Sequence, residues 1–193
     1  MPRLTPAAPI TALIYGDGGA MDALMARIAG ALAAEGLLLA GFIQRNQPRA
    51  NRRRCDMVLE DLATGEAIAI SEDRGPHARG CHLDTGELLR GMELGRAALA
   101  GRPDLLIINK FGKTEGEGGG FRPLMAEAML QEVPMLLAVP WRNIDGWRVF
   151  AGGLACEIPV ERVSGHGAAL LAALGMSISR DPGRTATTRE THP

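Results

Sequence analysis

Short apolar runs alternate along the chain with longer segments in which apolar residues recur every three or four positions. This pattern predicts strands interleaved with helices. The clearest run is Leu105, Leu106, Ile107 and Ile108, opened by Arg102-Pro103-Asp104 and uninterrupted by any polar residue. A run of that kind suits a strand buried on both faces at the centre of a parallel sheet. Residues 10–15 form a second β-branched run ending in Tyr15. Met21, Leu24, Met25, Ile28 and Leu32 then recur at helical spacing, with Gly36 where a helix would stop. Residues 37–44 read as a strand, and 57–62 and 67–70 as a hairpin around 63–66. Further helices are expected at 87–100, 122–131 and 164–174, the last with Ser164 as N-cap and Gly175 as terminator. Strands are expected at 133–139 and 154–159, a loop with a helical turn at 141–150, and irregular chain at 71–85. The expected fold is α/β, three layers with a mainly parallel central sheet and helices on both faces. Residues 10–174 form one domain in this reading, with 1–9 and 176–193 as flexible tails.

The polar residues are grouped rather than scattered. Directly after the central run stand Asn109, Lys110, Lys113, Glu115 and Glu117 on a glycine-rich backbone, and open α/β sheets bind ligands beyond the carboxyl ends of their strands. Lys110 and Lys113 are the only lysines among 21 Lys and Arg residues. A lysine is a compact charge with a tunable pKa, which arginine is not. The turn holding Gly16, Gly18 and Gly19 precedes a helix and reads either as an anion cradle or as a tight turn that simply needs glycine. With the loop from Gly112 to Gly120 it offers two sets of backbone donors near two cations, the equipment a dianion needs. A solvated polar loop is the plainer reading of the same residues.

Two further groups matter less. Five arginines fall within residues 45–54, but no aromatic is interleaved, so a solvated mobile loop is expected there rather than a nucleic-acid site. His77, Cys81, His82 and Asp84 are ligand types for zinc or another soft metal, yet their spacing matches no known class. Cys81, His82, Asp84, Cys55 and Glu115 are accessory candidates, and the metal question stays open.

Composition narrows the setting. A chain of 193 residues with 46% hydrophobic and 22% charged residues suits one globular domain. Aromatics make up only 4%, so aliphatic side chains must build the core. A net charge of -1 gives no general attraction to nucleic acid or anionic lipid. No signal-peptide pattern and no membrane-length apolar run is present, and three separated cysteines form no disulfide framework. A cytoplasmic location is therefore expected, without membrane association. A protein partner or a homo-oligomer remains open.

The strand, glycine turn and helix at the start invite comparison with the P-loop pattern G-x-x-x-x-G-K-[ST]. Laid on Gly16, the pattern puts Met21, Asp22 and Ala23 in place of its second glycine, its lysine and its hydroxyl residue. Asn109 and Lys110 stand where a magnesium-holding carboxylate belongs. Asn109-Lys-Phe-Gly112 also mimics a guanine-reading motif, but Gly112 replaces the aspartate that reads the base. A GTPase is therefore not expected.

Several separated segments carry a resemblance. They are Gly41-Phe-Ile-Gln44, Cys55-Asp-Met57 with Glu60-Asp-Leu62, Gly80-Cys-His-Leu-Asp84, Asn109-Lys-Phe-Gly112 with Glu115, and Gly119-Gly-Phe121. Across residues 10–174 the chain resembles a bacterial family of unknown function found beside molybdate-transport and nitrogenase genes. That family is similar to small P-loop nucleoside triphosphatases with degenerate nucleotide motifs. The resemblance implies their sheet order and a role in molybdenum or tungsten homeostasis, and it carries over no catalytic residue. The expected function is non-hydrolytic binding of a small oxyanion such as molybdate or tungstate, with Gly16, Gly18, Gly19, Asn109, Lys110, Gly112 and Lys113 as anion contacts. The alternatives are a P-loop-related nucleoside triphosphatase with an unorthodox site, using Lys110 or Lys113 and Glu115 or Glu117, and an interaction module with no small ligand.

Overall fold

The computed structural model describes residues 2–16, 20–48, 55–72 and 82–180. The chain opens with β1 (Pro2–Pro6), then β2 (Ile10–Tyr15) and the helix α1 (Ala20–Ala34). The hairpin partners β3 (Leu39–Pro48) and β4 (Cys55–Asp61) follow, then β5 (Ala67–Ala69) and the two-residue strands β6 (Ser71–Glu72) and β7 (His82–Leu83). Helix α2 (Thr85–Ala100) leads to the central strand β8 (Leu105–Ile108), the single turn α3 (Lys113–Gly116) and α4 (Arg122–Leu130). The chain continues through β9 (Met135–Pro140), α5 (Ile144–Ala151), β10 (Ala155–Pro159), α6 (Gly167–Ala173) and β11 (Met176–Arg180).

Seven strands form one sheet in the order β10-β2-β9-β8-β3-β4-β5. The first five are mutually parallel, and β4 and β5 extend the sheet antiparallel. Strand alternation distributes the side chains to two cores. Leu106 and Ile108 of β8 join Leu124, Met125 and Trp147 beneath α2, α4 and α5, whereas Leu105 and Ile107 join Met25, Ile28 and Leu32 beneath α1. All four β8 residues are at most 2% exposed, and each such burial stabilises the fold by about 1.5–3 kcal/mol. The contiguous run in the sequence exists because both faces of this strand are covered.

One close approach fixes the sheet beside the site. Gly41 has φ +95°, and a Cβ there would lie 2.0 Å from the carbonyl oxygen of Ile107. Any side chain at Gly41 would push β3 away from β8.

Several expectations need correction. The segments 2–6 and 176–180 are not free tails: β1 and β11 pair antiparallel, and Leu4 and Met176 are buried in the core under α1. The prolines that bound β1 disguised it, although proline is tolerated on an edge strand. The Arg45–Arg54 stretch is partly strand, since β3 runs to Pro48 and Arg45 pairs with Glu60 across the hairpin. The region taken as irregular contains the β6–β7 pair. Residues 144–151 form a full helix whose Trp147 is fully buried. The last helix starts at Gly167 with no side-chain cap, so Ser164 is not its N-cap, while Gly175 does terminate it with φ +65°.

Candidate functional site

The parallel strands end on the same side of the sheet, where polar residues gather: Tyr15 closes β2, Gln44 lies in β3 just past its pairing with β8, Asn109 and Lys110 follow β8, and Arg142 follows β9. Asn109, only 5% exposed, sits where the strands diverge. Its Nδ2 donates to Asp22 Oδ1 at 2.8 Å, and its Oδ1 accepts from the Gln44 backbone at 3.0 Å. One amide thus ties β8 to both β3 and the start of α1. Its polar atoms are engaged, so Asn109 organises the crevice rather than presenting a free contact.

The next residues explain how Lys110 is held. The Phe111 backbone N–H donates to Ala138 at 2.8 Å, its carbonyl accepts from Asn143 Nδ2 at 3.0 Å, and its fully buried ring meets Trp147 edge-on at 5.3 Å. With Asn109 and Phe111 both buried, the half-buried Lys110 between them lines a pocket at a fixed point of the backbone. No hydrogen bond or ion pair engages its ammonium among the described residues.

Glu115 closes the following loop on itself. Its carboxylate accepts from the N–H of Gly112 at 2.8 Å and of Phe121 at 3.1 Å, and the residue is 8% exposed. A Cβ on Gly120 would lie 1.9 Å from Glu115 Oε1, at φ +58°, so glycine is required there. The N–H groups of Gly116, Glu117, Gly118 and Gly119 are likewise spent within the loop. Five of the N–H groups expected as a backbone cradle, those of Gly112, Gly116, Glu117, Gly118 and Gly119, are therefore engaged by the protein's own carboxylate and carbonyls. Lys113 differs from Lys110: its side chain is 83% exposed and lies 3.5 Å from Glu117.

Around these groups lies a cavity of about 300 Å³. The apolar part of its lining, its floor, includes Phe42, Leu59, Ile70, Phe121 and the partly buried Met57 and Leu88; the polar part includes Gln44, Asn109, Lys110, Lys113, Thr114, Glu115, Arg142 and Asn143. Phe42 and Phe121 stack with centroids 4.9 Å apart, fixing the floor. Beyond Asn109 the crevice changes character. Tyr15 is half-buried there, and its phenol is held above the usual tyrosine range by burial; the Arg142 cation opposes this shift and the Asp22 carboxylate adds to it.

Of the remaining candidates, Gly16 follows β2 and is exposed, while Gly18 and Gly19 lie outside the described residues. Asp84 caps α2, accepting from Gly86 and Glu87 N–H at 2.9 and 3.1 Å, so its carboxylate is already engaged. Cys55 opens β4 and His82 opens β7, while Cys81 and His77 fall outside the described residues. Among the described residues no group of three or more His, Cys, Asp or Glu is placed to hold a metal. Sequence reasoning missed Arg142, Phe121, Leu88 and Tyr15. Reading the polar residue that closes β2 and the first charged residue after β9 would have found Tyr15 and Arg142; the apolar lining carries no local signal.

The sheet, its flanking helices and the crevice at the strand ends define an α/β protein of P-loop-like three-layer architecture. The chain belongs to the family described as protein of unknown function (DUF2478), whose model matches residues 10–166. It is 33% identical over 153 residues to the molybdenum import ATP-binding protein ModC 2 of Bradyrhizobium diazoefficiens, a match covering 79% of this chain. The match spans only 17% of that relative's length. The fold is similar to the crystal structure of THEP1 from the hyperthermophile Aquifex aeolicus, with a TM-score of 0.55 and 19% identity over 78% of this chain and 88% of that one. Among the described residues no helix is long and apolar enough to cross a membrane.

Proposed function

We propose that this domain binds a nucleoside phosphate in the cavity between β3, β4, α2 and the loop after β8, and that it does not hydrolyse triphosphates. The observation carrying this reading is the pairing of an apolar floor with Lys110, a half-buried cation that has no partner among the described residues. An organic ring gains from the floor, and a phosphate supplies the missing counter-charge. The P-loop-like architecture supports the same ligand class. Hydrolysis is not favoured, because Asn109 and Lys110 occupy the strand end where magnesium-holding carboxylates are expected and Asp22 stands in the lysine position.

A second reading, binding of molybdate or tungstate in molybdenum homeostasis, draws on the identity shared with part of a molybdenum import ATP-binding protein. One experiment separates the two. Thermal melting is followed with AMP, GMP, ATP, GTP, phosphate, molybdate and tungstate, with and without magnesium. A ligand at a hundred times its Kd stabilises the native state by about 2.7 kcal/mol. Nucleotides should raise Tm in the parent and not in Lys110→Gln. A shift with molybdate alone would favour the second reading. Sustained ATP or GTP turnover near ~1 per second, an ordinary enzymatic rate, would establish a hydrolase. If no compound shifts Tm, both ligand readings fail, and an interaction module remains.

A further inference from the structure

We infer that the cavity is built for a nucleoside monophosphate, held with its ring inward on the apolar floor and its single phosphate outward between Lys110 and Arg142. The inference rests on the nucleotide-binding reading above and specifies the ligand's size, orientation and charge.

Three observations carry it. The first is the distribution of chemistry. Phe121 and the partly buried Met57 and Leu88 line the cavity together with the cations Lys110 and Arg142. A bare tetrahedral oxyanion uses only the cations and leaves the apolar lining without a partner. A nucleoside without phosphate uses only the lining. A ring joined to one phosphate uses both, and an arginine offers that phosphate a planar pair of donors beside the lysine's point charge.

The second is volume. About 300 Å³ stands at the lower end of the ~300–1,000 Å³ range of small-molecule pockets. That space matches one ring system, a sugar and a first phosphate more closely than a whole triphosphate.

The third is what lies beyond the rim. Asn109 joins the cavity to the start of α1, and its Nδ2 is bonded to the Asp22 carboxylate at 2.8 Å. Further phosphates leading toward α1 would meet a negative charge where a P-loop protein supplies a lysine. The same carboxylate uses the favourable electrostatics of a helix start that phosphates would otherwise exploit. A single phosphate stops short of this group.

The test is calorimetric titration of the full chain with AMP, GMP, CMP and UMP, the parent nucleosides, inorganic phosphate, molybdate, ATP and GTP. At least one monophosphate should bind about tenfold or more tightly than both its nucleoside and inorganic phosphate, and no more weakly than its triphosphate. Lys110→Gln and Leu88→Asp should each weaken that monophosphate at least about tenfold, with circular dichroism showing that the fold is kept. Lys110→Gln keeps the half-buried stem while removing the charge, and therefore tests the phosphate contact even if Leu88→Asp does not fold. Triphosphates binding at least tenfold more tightly than monophosphates would overturn this inference while leaving the nucleotide reading intact. Phosphate or molybdate binding as tightly as any nucleotide, undisturbed by Leu88→Asp, would overturn both. Failure of every compound to bind would also overturn both.

Discussion

On the β2–α1 side of the crevice an acid, Asp22, heads a helix of 15 residues, whereas on the β8–α4 side Lys110 and Arg142 face an apolar cavity. In a P-loop protein the helix side holds the phosphates, because free N–H groups and the helix dipole favour an anion there. Here the chain's own carboxylate takes that favourable position and is bonded to Asn109. The other side inverts the arrangement: Glu115 is withdrawn into hydrogen bonds with Gly112 and Phe121, Glu117 lies beside Lys113, and no acid pairs with Lys110 among the described residues. The contrast shows how one architecture can be kept while its charges are rearranged. What differs is the counter-ion, and in the reading proposed above a ligand phosphate supplies the one that Lys110 lacks among the described residues.

The largest effect expected from this contrast is on stability. Glu115→Ala leaves the Gly112 and Phe121 N–H groups without acceptors in a nearly buried loop, and each unsatisfied group costs about 1–3 kcal/mol. A loss of about 3 kcal/mol in denaturant-derived stability is expected. Nucleotide binding should fall with it, since Phe121 forms part of the cavity floor. Should Glu115→Ala unfold at the same denaturant concentration as the parent, the loop is not held by this acid and the account of the β8–α4 side breaks.

A smaller effect tests the opposite side. Asp22→Asn keeps an oxygen for Asn109 Nδ2 but removes the charge. Two unit charges about 4 Å apart interact by about 1 kcal/mol in water and more near a protein surface. ATP should therefore gain about 1 kcal/mol in affinity, roughly fivefold, while a monophosphate changes by less than about twofold. Equal gains for both would place the whole ligand beside α1 and erase the contrast.

The sequence makes these two sides unequally legible. The β8 run exposed the central strand because burial on both faces leaves an uninterrupted apolar stretch, and the polar switch at Asn109 marked the crevice. The failed P-loop pattern at Asp22 was equally plain, since a motif is a local object. The different fates of Lys110 and Lys113 were not legible. They are three residues apart and both line the pocket, but Lys110 is half-buried next to the anchored Phe111, whereas the turn at α3 leaves Lys113 exposed beside Glu117. Nor did the sequence show that the Glu115 carboxylate would take the Gly112 and Phe121 N–H groups, because that requires Phe121 to return to within 3.1 Å of it. The cavity floor draws on β3, β4, α2 and the loop before α4, and its members look like ordinary core residues. Strand β1 was missed because Leu4 stands alone between prolines, and its partner β11 is distant in the chain.

The smallest expected effect reads the boundary between the two sides directly. Tyr15 is the only tyrosine in the chain, so tyrosinate absorbance during a pH titration reports a single group. Its pKa is raised above 10.0, chiefly by burial, with Arg142 opposing the shift and Asp22 adding to it. The sign for stability follows: the fold favours the neutral phenol, so this contribution is fully present below the unfolded pKa of about 10 and is lost as pH rises through the folded value. Asp22→Asn removes a raising cause and should move the midpoint down. Arg142→Ala removes a lowering cause and should move it up. A bound monophosphate whose charge rests on Arg142 should act in the same direction as Arg142→Ala, shifting the parent's midpoint upward while circular dichroism shows the protein still folded. Guanosine or adenosine, which lack the phosphate, should leave the midpoint in place. If AMP or GMP binds yet moves Tyr15 no more than its nucleoside does, the phosphate lies away from Arg142, and the two sides of the crevice are electrically separate rather than joined at that arginine.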